Sequence, residues 1–480
     1  MKKGLFFMVL FMLCASFASA QQPLRFKDGK FKLVQFTDVH WDPKSAGCEA
    51  TEHTIKSVLE IEKPDLAILT GDIVTSDPAL EGWKSIIRIF EEEKMRFDVT
   101  MGNHDAEYLD KQVIYDLLVK SPYFVGSHGP KDIKGCGNHV LPIYGSKQSD
   151  QIASLLYCID SNDYPETEDL GHYDWIHFNQ IEWYRNQSKS FTTGNGGEPL
   201  PALAFFHIAL PEYRHLIGKK TTWGRCDEGD ACAADVNSGM FASFVDCKDV
   251  MGVFVGHDHD NDFLGQEKNI VLAYGRVTGK DAYGEFVRGG RVVELYEGKR
   301  QFDTWITTPE GNEFAYYYPS GITSIDEEGT YLPAKKVQPK KQGVAYTYYE
   351  GDFEETADMY KKGKKVKEGV LPNLTISEAP AKDYFGYDFR SLIRIPEKGV
   401  YYFYVSSDDG SKLFIDGKEV VDNDGSHSLK CVEGKVALEA GFHELKLLYF
   451  ESYMGESLKV RMVSRSVDQL VSDDMLFLPQ

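Results

Sequence analysis

From Phe31 onward, short apolar runs alternate with stretches of helical period. FKLVQF (31–36), LAIL (66–69) and FDVTM (97–101) read as strands. Between them Ile55, Val58 and Leu59, and then Leu80, Trp83, Ile87 and Phe90, recur on one face of a helix. ALAFF (202–206) and VMGVFV (250–255) continue the strand series. Strands alternating with helices predict an α/β core with both faces of the sheet covered. The stretch 120–200, rich in Gly, Asn, Asp and Tyr, reads as long loops around one helix near HFNQIEWYRNQ (177–187). Loops of that length are places where recognition walls are built.

Past about residue 305 the pattern changes. PAKKVQPKKQG (333–343) has the Pro and Lys content of a spacer, and the runs after it are β-rich: YYFYV (401–405), KLFI (412–415), KEVV (418–421) and FHELKLLYF (442–450). Asp416-Gly417 between two of them is a hairpin signal, which Asp409-Gly410 and Asp424-Gly425 repeat. The C-terminal third is expected to be an all-β antiparallel sandwich. The expected boundaries are 1–20, 21–305, a linker over 306–342, and 343–480.

The first twenty residues, MKKGLFFMVLFMLCASFASA, place two lysines before an apolar stretch and end on Ala18-Ser19-Ala20. This is the layout of a signal peptide, too short for a retained anchor. Met12 and Leu13 stand where a lipid anchor at Cys14 would need small residues. A soluble protein exported to the periplasm or beyond is therefore expected, with no membrane span. The net charge of −21 becomes more negative when Lys2 and Lys3 leave with the leader, and such a surface repels nucleic acid. A chain that is 42% hydrophobic and 13% aromatic can bury a large core and is not disordered. Beyond the leader stand Cys48, Cys136, Cys158, Cys226, Cys232, Cys247 and Cys431. In an oxidising compartment an odd set leaves one thiol free, and the close pair Cys226 and Cys232 is expected to form a local disulfide.

Five polar clusters each follow directly on a predicted strand: Thr37-Asp38-Val39-His40, Gly71-Asp72, Gly102-Asn103-His104-Asp105, His207 and Gly256-His257-Asp258-His259. The last belongs to VFVGHDHDND (253–262). Ligands gather beyond the carboxyl ends of strands in α/β sheets, so the five ends can meet. In extended backbone Asp38 and His40 point to one side, as do His257 and His259. Gly71 and Gly102 can take positive φ and turn Asp72 and Asn103 inward. Leaving aside His104, Asp105 and Asp258, the clusters present two carboxylates, one amide oxygen and four imidazoles. That exceeds the need of a single metal and matches two first-row ions sharing a carboxylate, for which Asp72 is the candidate. Taken singly each piece has a plain structural use, such as a strand cap, a turn or a core histidine.

In this order, DVH, GD, GNHD, a later lone His and GHDH resemble the calcineurin-like metallophosphoesterases, over about residues 30–300. HIALPEY (207–213), GVFVGHDHDNDF and YGRVTG (274–279) are similar to the branch related to purple acid phosphatases. The resemblance implies a four-layer αββα sandwich. It implies that Asp38, His40 and His259 hold one metal, that Asn103, His207 and His257 hold a second, and that Asp72 bridges them. His104 would act near the leaving group, with Asp105 orienting its ring. Purple acid phosphatases carry a tyrosine three residues after the bridging aspartate, and here Thr75 stands there, so a colourless or weakly coloured enzyme is expected. The metals are left as Fe, Mn or Zn.

YYFYVSSDDGSKLFIDGKEVVDNDG (401–425) resembles the protective-antigen-type β-sandwich, over about 343–465. In carbohydrate-binding members an aspartate pair holds calcium against sugar, and Asp408 and Asp409 occupy the matching place; turn chemistry alone assigns them the shaping of a hairpin. The expected function is an exported dinuclear-metal phosphatase. It would hydrolyse small phosphomonoesters by attack of a metal-bridging hydroxide, with His104 as general acid. The alternatives are a phosphodiesterase on the same site and a non-catalytic surface protein that binds glycan through the C-terminal domain.

Overall fold

The computed structural model describes residues 22–147, 150–339 and 341–479. The expected signal peptide lies outside the described residues.

The chain runs β1 (Leu24–Arg25), β2 (Lys30–Phe36), α1 (Gly47–Glu62), β3 (Leu66–Thr70), α2 (Ala79–Glu92), β4 (Phe97–Thr100), α3 (Lys111–Leu118), β5 (His139–Tyr144) and β6 (Ile152–Cys158). It continues through α4 (Phe178–Gly194), β7 (Ala202–Phe205), α5 (Met240–Cys247), β8 (Val250–Val255), β9 (Leu264–Glu267), β10 (Ile270–Tyr274), β11 (Gly290–Tyr296), β12 (Phe302–Thr308), β13 (Gly311–Tyr318) and β14 (Ile322–Thr323). These strands form two seven-stranded sheets, ordered β1-β5-β6-β7-β8-β10-β9 and β14-β13-β12-β11-β2-β3-β4.

Side-chain alternation along the strands divides the apolar residues among three cores. Leu33, Leu66, Ile68, Leu203, Phe205, Met251 and Phe254 meet between the sheets. Val34, Phe36, Ala67 and Leu69, from the same strands, face the other way onto α1, α2 and α3 with Ile55, Trp83 and Ile114. Val253 and Val255 turn outward onto Tyr184 of α4 and Phe244 of α5. The layers are therefore helix, sheet, sheet and helix, the expected four-layer αββα sandwich.

Several expectations change. β5 and β6 lie inside the stretch read as loops; β5 carries Pro142, which weakens a strand signal, and its buried positions alternate with half-exposed ones. Leu80, expected on the buried face of α2, is exposed, and Ile86 and Ile89 complete that face instead. The linker does not begin at 306, because β12 pairs with β11 and β13 with β12, completing the second sheet. β13 is a partly exposed strand near the sheet's edge, so its sequence lacks an apolar run. Nor is the Pro/Lys-rich segment a free spacer: Leu332 N–H donates to the Ala437 carbonyl (2.9 Å) and Lys335 N–H to that of Phe442 (2.8 Å).

The C-terminal part folds into β15 (Val344–Glu350), β16 (Lys364–Leu371), β17 (Phe385–Ile395), β18 (Gly399–Asp408), β19 (Ser411–Ile415), β20 (Lys418–Asn423), β21 (Lys430–Leu438), β22 (Gly441–Glu451), β23 (Ser457–Val463), β24 (Asp468–Leu470) and β25 (Leu476–Phe477). One sheet runs β16-β15-β17-β22-β19-β20 with β25 on β17, the other β21-β18-β23-β24, and the apolar core lies between them. Asp416-Gly417 turns the β19–β20 hairpin as expected. Asp409-Gly410 and Asp424-Gly425 instead carry the chain from one sheet to the other, since β18 and β21 pair together and β19 pairs with β20 and β22.

Candidate metal centre

β2, β3 and β4 are parallel neighbours in one sheet, and β7 and β8 in the other, so five carboxyl ends open on one side of the sandwich. The loops beyond them are tied to each other through the backbone. Asp38 N–H donates to Gly71 O (3.1 Å), His40 N–H to Asp72 O (2.9 Å) and Gly256 N–H to His207 O (3.0 Å). His257 N–H donates to the Asp38 carboxylate (3.1 Å) and His104 N–H to Asp72 Oδ1 (2.9 Å).

The pairs Asp38/His40 and His257/His259 do not reach the site from extended backbone, as the spacing suggested. Asp38 (φ 52°), His40 (φ 43°), Asp72 (φ 49°) and His257 (φ 80°) all lie in the left-handed region that non-glycine residues avoid. Such conformations cost about 1–3 kcal/mol each and persist where the surroundings hold them, typically at functional sites. Gly71 takes φ 82° as anticipated. Gly102 is not at positive φ; it is glycine because a Cβ there would collide with the carboxylate and backbone nitrogen of Asp72.

Two groups of potential ligand atoms result. One atom each from Asp38, His40 and His259 lies within 4.8 Å of the others, and so do one each from Asp72, His207 and His257. Asp72 borders both, with Oδ2 3.2 Å from His207 Nε2 and 3.8 Å from His40 Nε2. The carboxylates of Asp38 and Asp72 are buried, and among the described residues their only ion-pair partners are histidines. His40 Nε2, Asn103 Oδ1, His207 Nε2 and His259 Nδ1 are buried with no hydrogen-bond partner among the described residues. Buried carboxylates faced only by histidine rings, and orphaned lone pairs, are costly unless a cation meets them. His207 Nδ1 is committed to the Thr70 carbonyl (2.8 Å), which leaves Nε2 as its free lone pair. The donor set therefore fits first-row metal ions.

Electrostatics agree. Burial, helped by neighbouring histidines, lowers His257 to about 3, and burial outweighs Asp72 in lowering His40 to about 4, so both rings are neutral near pH 7. Burial also works against charge on His207, but the Asp72 carboxylate overrides it and raises that ring to about 10. A cation held at His207 Nε2 would compete with that proton. Burial would raise Asp38, yet His259 pulls it down to about 2, keeping it ionised.

His104 stands beside this set, its ring 6.1 Å from that of His40 and its side chain 37% exposed. Its orienting partner is Glu107, whose Oε1 lies 2.6 Å from Nδ1. Asp105 does not orient the ring. Its Oδ1 accepts from the N–H groups of Ile73 (2.8 Å) and Val74 (3.1 Å) and its Oδ2 from that of Gly102 (2.8 Å), so it latches the Asp72 loop to the Asn103 loop. Thr75 Oγ1 lies 3.5 Å from His40 Nδ1. The walls are aromatic: Tyr283 stacks on His259 (3.8 Å), Tyr173 meets His257 edge-on (4.5 Å) and Tyr164 bonds Asn103. Sequence reasoning missed all three tyrosines, which lie in loops without a periodic signal. Glu107 was detectable as an acid three residues after His104.

Two other groups have metal-like composition. In Asp98–His139–Cys158 both ring nitrogens of His139 are occupied, by Gly137 O (2.7 Å) and Asp98 Oδ2 (2.9 Å), which leaves no lone pair for an ion. In Asp408–Asp409–Glu451 the two aspartates accept backbone N–H groups of Leu429, His427 and Ser452, so they clamp the crossing between sheets rather than a hairpin. Glu451 Oε1 remains without a partner. Among the described residues the seven cysteines are free, including Cys226 and Cys232, between which the expected disulfide is not formed. The chain between them is instead wrapped around Asn261, which accepts from Glu228 N–H and donates to Asp230 O.

Residues 31–261 match the calcineurin-like phosphoesterase family and residues 340–470 the PA14 domain. A "Probable inactive purple acid phosphatase 29" of Arabidopsis thaliana is 34% identical over 62% of this chain and 86% of its own. A second Arabidopsis thaliana relative, "Probable inactive purple acid phosphatase 14", is 30% identical over 61% and 82%. A solved dimetal phosphatase from Danio rerio is 12% identical, with a TM-score of 0.43 over 59% of this chain and 97% of that one.

Proposed function

The chain belongs to the calcineurin-like phosphoesterases, among relatives of the purple acid phosphatases, with a C-terminal PA14 domain, and from that premise we propose that it is an exported phosphatase acting on phosphomonoesters with two first-row metal ions. The observation that supports this most is the approach of two buried, partnerless ring nitrogens, His207 Nε2 (3.2 Å) and His40 Nε2 (3.8 Å), to one oxygen of Asp72. Asp38, His40 and His259 would hold one ion and Asn103, His207 and His257 the other, with Asp72 between. When bound, such a pair supplies Lewis acidity toward the ester oxygens and a nucleophile drawn from water.

The chain's own residues do the rest. Left-handed backbone at Asp38, His40, Asp72 and His257 fixes the ligand positions in advance, which limits reorganisation on binding. The amide of Asn103 offers an oxygen without adding negative charge beside an anionic substrate. Glu107 holds His104 through Nδ1, leaving Nε2 to deliver a proton to the departing alkoxide oxygen. Tyr164, Tyr173 and Tyr283 line the approach.

Hydrolysis of p-nitrophenyl phosphate and of its bis ester, compared with Mn, Zn and Fe, tests the reading. The monoester is expected to turn over faster with at least one metal, and Asp72→Asn to lose metal and activity together. Faster turnover of the bis ester with every metal would identify a phosphodiesterase.

A second reading, glycan capture by the C-terminal domain, is supported by the PA14 match and by the unpartnered carboxylate oxygen of Glu451 beside Asp408 and Asp409. Full-length protein on a glycan array, with and without calcium, tests it; no calcium-dependent signal would reject it.

A further inference from the structure

We propose that Tyr164 is a positioning residue of the metal centre, holding the Asn103 side chain with its amide oxygen, not its nitrogen, turned toward the ions. The proposal rests on the dinuclear reading. Asn103 Nδ2 donates to Tyr164 Oη at 3.1 Å, while Asn103 Oδ1 is buried without a partner. The two ends of an amide have nearly the same shape and opposite chemistry: the oxygen is a ligand, and the NH₂ group opposes a cation. Here the NH₂ group is engaged by the phenol oxygen of Tyr164, which leaves the amide oxygen as the end that faces the site.

The phenol is held in place by a polar network that the ligand set does not use. Buried Asn162, at φ 67°, donates through Nδ2 to Trp175 O (2.7 Å) and Gln180 Oε1 (2.9 Å). Gln180 Nε2 in turn donates to Asp160 O (2.7 Å) and Asn138 Oδ1 (3.0 Å). Lys111 Nζ pairs with Asp160 (3.0 Å) and with Asp163 (2.6 Å), the residue before Tyr164. A network so fully satisfied is rigid, and it fixes the chain from which the phenol projects.

The same loop also backs His257, because Tyr173 packs against both Tyr164 and the His257 ring. The Asp38–His40–His259 group is covered from elsewhere, by Tyr283. Removing the Tyr164 hydroxyl should therefore weaken one ion and spare the other, an asymmetry that a general loss of stability would not produce.

The test is stepwise Mn or Zn binding to full-length Tyr164→Phe, measured by chelator competition, with Asn103→Ala as benchmark and melting of the metal-free proteins as control. One ion is expected to keep wild-type affinity, the other to bind about tenfold or more weakly, and the metal-free melting temperature to stay unchanged. Two ions bound as tightly as in wild type, or both weakened equally, would overturn the role. An iron-loaded wild type whose visible phenolate band disappears in Tyr164→Phe would also overturn it, by making Tyr164 a ligand. Wild-type protein that never binds more than one ion would instead remove the dinuclear reading on which the proposal stands.

Discussion

At the scale of single residues, the GNHD stretch combines three kinds of work that its sequence does not separate. Asn103 offers a ligand atom, His104 stands at the rim and Asp105 ties two loops together. His104→Ala is expected to lower turnover of a poor-leaving-group ester about 10²-fold or more while metal content stays near wild type. Glu107→Ala should cost less, and nothing further once His104 is gone, because it acts only through that ring; additive losses in the double variant would refute the link. Asp105→Ala should behave differently. It strands three buried N–H groups at roughly 1–3 kcal/mol each, so the expected result is a lower melting temperature with loss of metal. A variant of Asp105 that remained stable and metal-loaded but inactive would restore it to the catalytic group. The seven ligand candidates were legible because each follows a strand. Tyr164 and Tyr283 were not, since a loop aromatic has the same local signature whether it faces a site or solvent.

At the scale of elements, buried strands such as Leu66–Thr70 and Val250–Val255 declare themselves as continuous apolar runs and were recovered to within a residue or two, whereas the equally buried Ile270–Tyr274 was not identified. The strand His139–Tyr144 was not, because Pro142 and alternating half-exposed positions lower its contrast. Asp-Gly pairs specify a tight turn but not the sheet in which the next strand will pair, so one marks a hairpin and two mark crossings. The two large sheets are also joined by a charge pair between strands that lie far apart in sequence: Asp98 on β4 and His139 on β5. Burial opposes charge on His139, but Asp98 and the Gly137 carbonyl outweigh it and raise its pKa above the ordinary 6.5. A raised folded-state pKa means that the pair's contribution is complete below about pH 6.5 and fades as pH rises through the folded value. Asp98→Asn is therefore expected to cost about 3 kcal/mol near pH 6, and less as pH rises past the folded value of His139. Denaturant unfolding across that range checks it; a cost that does not change with pH would rule out the ion pair.

At the scale of the whole molecule, the phosphoesterase sandwich and the β-sandwich are connected by more than a linker. Arg465 lies 3.6 Å over the Tyr317 ring and pairs with Asp303 (2.8 Å) and Glu327 (3.3 Å), and Lys435 pairs with Asp326. The change in texture near residue 305 marked a change from buried to partly exposed strands, not the end of a domain, and the boundary moved accordingly. Among the described residues no helix is long and apolar enough to cross a membrane. The order of the five clusters was enough to indicate a shared centre, because strand ends in a layered α/β fold have few places to converge; what it could not carry was the left-handed backbone that aims the ligands. The most direct test of that centre is elemental analysis of the purified full-length protein beside a p-nitrophenyl phosphate assay before and after chelation. About two first-row metal ions per chain are expected, with activity lost on chelation and restored by metal. A protein with fewer than about one ion per chain, even after incubation with Mn, Zn and Fe, and with no metal-dependent hydrolysis would contradict it.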